Sequence, residues 1–473
     1  MCLLKLDCNG YPFQGMYLEI VGPTLQDLKY RVNSNYEEIA RALFARSVGF
    51  FIGSLAGGFL CDRYRDKLDI FLASSFILSG VGTCIAPWCS ALWLLGCMFH
   101  LQGLGQGCLG TIGQALVINM WGESSGPPVH SLHFAFGIGA TIVPQIVRPF
   151  LSSTPESIDY NTTVTVNSTM VIPTWNSTMV IPTWNSTMVI PTGNFTVNDA
   201  RIEVPYSIVG IVTIIFSFIF MGYYFVSRKR SNTEYDLDHE GQDEKSTTLR
   251  EIDEKSTTLR EMFSTEKCTQ GHKAFGIQML FLIFLFSGIA IGGERVYGKF
   301  VFSYATDTKM ATKSEATVIE TIFWSSFMVG RGLAIIVAKF CPPKLMLLIE
   351  IIANVVVGVV LNIWGNTNIT ILWVFTGAFG IVNAPVFPSG IAWVNLYLEQ
   401  TGLVTAMTFV GQSVGGMVFQ WLTGYLFEYY GPLSFLYTIL GYTIALAAVS
   451  IIMGLLTFRR KDRFQHIKEE SSK

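Results

Sequence analysis

A dozen apolar stretches of about twenty residues, separated by polar connections, leave this chain few folds to choose from. Roughly 20 such residues span the hydrocarbon core of a bilayer. Inside lipid each backbone N–H and C=O must be satisfied within its own segment, which a helix achieves. Half of the 473 residues are hydrophobic and 14% are charged, against about 25% charged in soluble domains. The chain therefore reads as an all-α, multi-spanning membrane protein. Eleven runs are clean: 39–61, 68–88, 91–121, 132–150, 206–226, 273–293, 316–338, 345–364, 371–396, 403–427 and 433–458. The first is not. Residues 16–28 are apolar but short and contain Glu19, with Asp7, Asn9, Gly10, Pro12 and Gln14 upstream. This pattern predicts a first helix that is short or truncated, with Gly22-Pro23-Thr24-Leu25 at its outer end. The net charge of −2 gives no reason to expect a nucleic-acid partner.

The connections set the topology. Arg63, Arg65 and Lys67, Arg228 to Arg230, and Arg459 to Lys461 lie at alternate helix ends, and basic residues gather on the cytoplasmic side. Residues 152–203 are polar and repetitive. A nine-residue unit beginning at Asn167 recurs at Asn176 and, with its last residue changed, at Asn185. The Asn-x-Ser/Thr acceptor pattern occurs at Asn161, Asn167, Asn176, Asn185 and Asn194, so this segment reads as a glycosylated extracellular loop. A charged linker carries its own duplication, starting at Asp243 and again at Asp253; its composition is that of disordered chain. The expected organisation is a six-helix unit over 1–226, a cytoplasmic linker over 227–272, a second six-helix unit over 273–458 and a tail over 459–473. Both termini then lie inside, and sequons and basic residues agree on that orientation. A Cys84–Cys89 bridge near one loop is a pairing the spacing allows.

One motif sharpens this. Gly53, Ala56, Gly57 and Gly58 end the second helix, and Asp62-Arg63-Tyr64-Arg65 follows. Gly53 and Gly57 are four apart, so one face is bare backbone against which a neighbour can pack closely. Gly58-Phe-Leu60-Cys-Asp62-Arg63-Tyr-Arg65 resembles the signature of the major facilitator superfamily between its second and third helices, with Tyr64 where the family usually has glycine. The resemblance implies two six-helix bundles around a central pocket and transport by alternating access. It also implies gating roles: Asp62, Arg63 and Arg65 would meet Glu399, at the turn before the eleventh helix, when the inner gate is shut.

Nothing in the sequence points to an enzyme. No Walker sequence or HExxH occurs, Gly103-Leu-Gly105-Gln-Gly107 sits inside a membrane helix, and no metal-type cluster is visible. Polar side chains inside spans are expensive in lipid and tend to face a cavity. Gln102, Gln106 and Gln114 on the fourth helix, His133 on the fifth, Asn383 and Trp393 on the tenth and Gln412 on the eleventh are therefore candidate solute contacts. Amides suit hydroxyl-rich solutes. Asn383, Pro385 and Pro388 should disrupt the tenth helix. Gly292-Gly293-Glu294-Arg295 reads in two ways. It is either a helix break whose freed carbonyls and Glu294 hold a coupling cation, or the start of an extracellular loop. Arg331, near mid-helix, needs a carboxylate that the sequence alone does not reveal.

Within the superfamily, Gly22-Pro23-Thr24-Leu25, Gly49-Phe-Phe-Ile-Gly53, Gln102-Gly-Leu-Gly105, Asn119-Met-Trp121, the stretch from His133 to Gly139 and that from Glu294 to Gly298 look like the sodium-dependent glucose transporter branch. This implies sodium-coupled uptake of glucose or related hexoses at the plasma membrane, with the apical surface a candidate location and urea a further candidate solute. It implies a monomer with sodium as coupling ion and no other cofactor. The competing reading is a transport-inactive solute sensor or glycosylated interaction protein on the same scaffold; the weak first helix and the expanded loop favour it, and the set of polar cavity candidates favours transport.

Overall fold

The computed structural model describes residues 2–64, 67–121, 126–151, 200–238, 273–398, 402–458 and 460. Among them, fourteen α-helices make twelve passes, because the first and tenth passes are each built from two segments. Eight passes are long and apolar enough to cross a membrane by length and composition. The second helix is Tyr36–Arg63, the third Leu68–Ile85, the fourth Leu92–Trp121, the fifth Gly126–Val147 and the sixth Glu203–Asp238. The seventh is Lys273–Asp307, the eighth Lys313–Val337, the ninth Pro343–Trp364, the eleventh Gly402–Tyr430 and the twelfth Ser434–Thr457.

The first pass corrects the sequence reading. It is not short: helix runs over Cys2–Glu19, bends at Ile20 and continues over Val21–Arg31. Gly22 and Pro23 lie just past that bend, not at the outer end. Pro23 has no N–H to donate, which weakens the helical ladder there, and Thr24 Oγ1 turns back to the carbonyl of Ile20 at 2.7 Å. Of the polar residues that made this segment look defective, Gln14 and Glu19 face protein, for both are buried. The tenth pass breaks as expected, into Ile369–Asn383 and Val386–Asn395 around Pro385. The seventh does not break: Lys273–Asp307 is one helix of 35 residues. Gly292 and Gly293 instead make room for the rings of Phe419 and Tyr442.

Within each half, the strongest helix pairs join helices that are not consecutive in the chain. The second packs on the fourth, the third on the sixth and the first on the fifth; the seventh packs on the eleventh, the eighth on the tenth and the ninth on the twelfth. The Gly53 and Gly57 face lies on the fourth helix, where an added Cβ would meet Leu104 and Cys108. Gly103 abuts the backbone of Arg46 in the same seam, and Gly415 abuts Gly288 in the seventh–eleventh seam. The two halves meet along the second and eleventh helices and along the fifth and eighth. Leu345, Leu348, Ile349, Ile352, Val356 and Ile363 form an exposed apolar stripe on the ninth helix, at the spacing of a lipid-facing surface.

Candidate functional site

A cavity of about 120 Å³ lies where the two halves face each other. The first, second, fourth and fifth helices line one side with Gln14, Glu19, Arg46, Gln106, Gln114 and His133, among others. The seventh, eighth, tenth and eleventh line the other with Glu294, Arg295, Arg331, Phe387, Phe409 and Gln412. Five sequence candidates thus converge: Gln106, Gln114, His133, Glu294 and Gln412. Gln106 and Gln114 reach it because Gly103 and Gly107 let the fourth helix approach the second without bulk, each meeting second-helix backbone directly.

The others lie elsewhere. Gln102 is fully buried, and its amide donates to Thr83 Oγ1 at 3.1 Å, tying the fourth helix to the third. Asn383 accepts a short hydrogen bond from the Tyr442 hydroxyl within the second half. Trp393 is buried in the core of that half and packs toward Gly454. Arg63 is exposed at the end of the second helix. Arg65, Glu399 and the five acceptor asparagines lie outside the described residues, as does the side chain of Asp62. Cys84 and Cys89 are unbonded.

The sequence reading underrated the charge of this site. Glu19 forms a buried ion pair with Lys299 across the halves. Lys299 Nζ also donates to the carbonyl of Leu18 at 2.7 Å, and Arg46 reaches the same oxygen at 3.3 Å. Both cations therefore gather on the last turn before the bend at Ile20. The carbonyls at a helix C-terminus carry partial negative charge that attracts cations, and the interruption at Ile20 places such an end beside Lys299 and Arg46. The missing partner of Arg331 is Glu294, 3.8 Å from its Nη2. The guanidinium of Arg295 lies 5.1 Å above the ring of Phe50 and beside Gly416, which has no side chain to obstruct it. Glu320 is fully buried next to Gly22, and neither of its carboxyl oxygens has a hydrogen-bond partner. The one sequence signal for these groups was the rarity of charge inside apolar runs. Their pairing needed the folded structure.

Polar bonds between the halves concentrate at one end, that of the fifth–sixth connection. Gln26 donates to Thr306 Oγ1 and to Asp307 at 2.6 and 2.5 Å, and the Tyr36 hydroxyl donates to Asp307 at 2.6 Å. Lys313 pairs with Asp27 at 3.1 Å, Glu428 accepts from the backbone N–H of Tyr36 at 2.8 Å, and Arg148 donates to Ser314 at 2.7 Å. These contacts close the cavity on that side.

Residues 10–154 match the family model of the Major Facilitator Superfamily. The human sodium-dependent glucose transporter 1 is 29% identical over 457 residues, covering 96% of this chain and 80% of that protein. The chain is thus similar to proteins of the major facilitator superfamily. A second human relative, major facilitator superfamily domain-containing protein 4A, is 26% identical over 94% of this chain and 90% of its own length. Among solved structures, the facilitator fold superposes on the xylose transporter XylE from E. coli in a partially occluded inward-open conformation, with a TM-score of 0.62 at 12% identity over 95% and 97% of the two chains. It superposes on the nucleoside transporter NupG with a TM-score of 0.63 at 11% identity, over 95% and 99%. The glucose, xylose and nucleoside proteins among these are transporters by name.

Proposed function

We propose that this facilitator is a secondary transporter that moves glucose or related small polar solutes across the plasma membrane by alternating access, coupled to sodium. One observation carries the reading: a polar cavity enclosed between two helical halves and lined by both. Carriers bind solute at such an interface and expose it to either side by rocking one half on the other. Gln106, Gln114 and Gln412 offer donors and acceptors together, and Phe387 and Phe409 offer apolar faces. With the basic helix ends on the inside, the latched side faces out, and this reading makes the structure a form closed to the exterior. The five acceptor asparagines then lie in an extracellular, glycosylated loop, and both termini inside. Relatives that are sodium-dependent glucose transporters by name suggest sodium coupling. Glu294 is the carboxylate assigned to the ion, because its 3.8 Å contact with Arg331 is long enough to exchange.

The reading as a transport-inactive sensor rested on a weak first helix and on the expanded loop over 152–203, most of which lies outside the described residues. That helix is continuous but for one bend and supplies Tyr11, Gln14, Leu18 and Glu19 to the cavity. Uptake of radiolabelled glucose into vesicles, with and without a sodium gradient, tests the proposal. Saturable, sodium-stimulated uptake lost in Gln106→Ala supports it; no uptake of glucose, urea or any other small solute by inserted protein refutes it.

A further inference from the structure

We propose that the solute of this cavity is a hydroxyl-bearing organic anion, a sugar acid in preference to a neutral hexose. This deepens the transport reading above and rests on it. The charge on the walls carries the inference. Three guanidiniums line the cavity, those of Arg46, Arg295 and Arg331, against two carboxylates, Glu19 and Glu294. Glu19 is already matched by Lys299 behind it. Three cations then face Glu294 alone. Counting buried Glu320, which flanks Lys299, still leaves one positive charge in excess. A buried cation needs a counter-charge or water.

Arg331 makes the point at atomic level. It is 4% exposed, and its Nε and Nη1 are buried without any hydrogen-bond partner. Its contact with Glu294 uses Nη2 alone and is 3.8 Å long. The guanidinium fork is built to hold a carboxylate through two parallel hydrogen bonds, and here the fork is only loosely engaged. Arg295 stands on the adjacent helix over Phe50, with Gly416 leaving space beside it. A solute carboxylate entering between Arg295 and Arg331 would satisfy donors that the protein leaves unmet. Gln106, Gln114 and Gln412 around the same space would take its hydroxyls. Once the solute holds Arg331, Glu294 is released, which gives sodium a carboxylate only when the anion is present. Anion and cation would then enter as a pair.

The experiment compares labelled gluconate with labelled glucose in vesicles holding the full-length protein, and measures the thermal stability of the purified protein with each. The expected result is uptake of gluconate at least tenfold above glucose, with gluconate alone raising the melting temperature. Arg331→Gln and Arg295→Gln should each cut gluconate uptake tenfold or more at equal surface abundance, with Arg295→Lys partly restored. Glucose taken up while gluconate is neither transported nor competitive overturns the anion proposal and leaves the transport reading standing. Stabilisation by gluconate without uptake of either solute supports the anion site and refutes transport. No stabilisation by gluconate, with no uptake, overturns both.

Discussion

Replacing Lys299 by methionine removes the ammonium paired with Glu19, and does so at a fully buried site. The methionine fills the space but leaves a carboxylate stranded in low dielectric, and the Leu18 carbonyl loses its 2.7 Å donor. Glu320 loses the influence of the same positive charge. Removing one partner of a buried pair costs about 3–5 kcal/mol, chiefly from the charge left behind. Replacing both, as in Glu19→Gln with Lys299→Met, leaves no stranded charge at Glu19 and should cost only about 1–2 kcal/mol for unmade hydrogen bonds. At roughly 2 °C per kcal/mol for a large chain, the single variant should melt ~6–10 °C below the parent and the double variant ~2–4 °C below it. Intrinsic fluorescence of detergent-solubilised protein on heating reads this directly. A single variant within 2 °C of the parent, on the same scale of roughly 2 °C per kcal/mol, would refute the reasoning. So would a double variant no better than the single.

Three further outcomes follow from the same geometry. Asp307→Ala removes the acceptor shared by Gln26 and Tyr36, each bond to a charged group being worth about 1.5–3 kcal/mol. The protein should then open to the exterior, with a cysteine placed at Gln412 labelled at least tenfold faster by an impermeant thiol reagent from outside; an unchanged rate contradicts the latch. Gly103→Ala should abolish surface expression, because the new methyl meets the backbone oxygen of Arg46, whereas Gly58→Ala meets nothing within 4 Å and should be silent; surface biotinylation distinguishes them. Gln102→Ala should lower stability by about 1 kcal/mol, the worth of its bond to Thr83, and leave the KM for solute unchanged, since Gln102 does not face the cavity.

The fold was largely legible because lipid allows so few solutions. Hydrophobic runs gave the passes, and the Gly53 and Gly57 spacing gave a seam that the structure confirms against the fourth helix. Pro385 gave the break in the tenth pass. The first pass was misread because apolarity was taken as the mark of a membrane helix. Gln14 and Glu19 line a cavity, and a helix that faces a polar cavity need not be apolar all round. Gly292-Gly293 was misread for a related reason: glycine can serve as a place for a neighbouring ring as well as a point of fracture. The site was half legible. Amides at Gln106, Gln114 and Gln412 stood out against their apolar context, but Gln102 on the same helix face looked equivalent and is structural. The pairs Glu19–Lys299 and Glu294–Arg331 join residues 280 and 37 positions apart, and no local pattern announces them.

The central claim is that the enclosed cavity serves each side of the membrane in turn. A cysteine-free background carrying only Gln106→Cys, probed with an impermeant thiol reagent applied to one face at a time, tests it most directly. The account predicts reaction from either face and slowing of both reactions by transported solute. Reaction from one face alone under every condition, with no protection by solute, would contradict it.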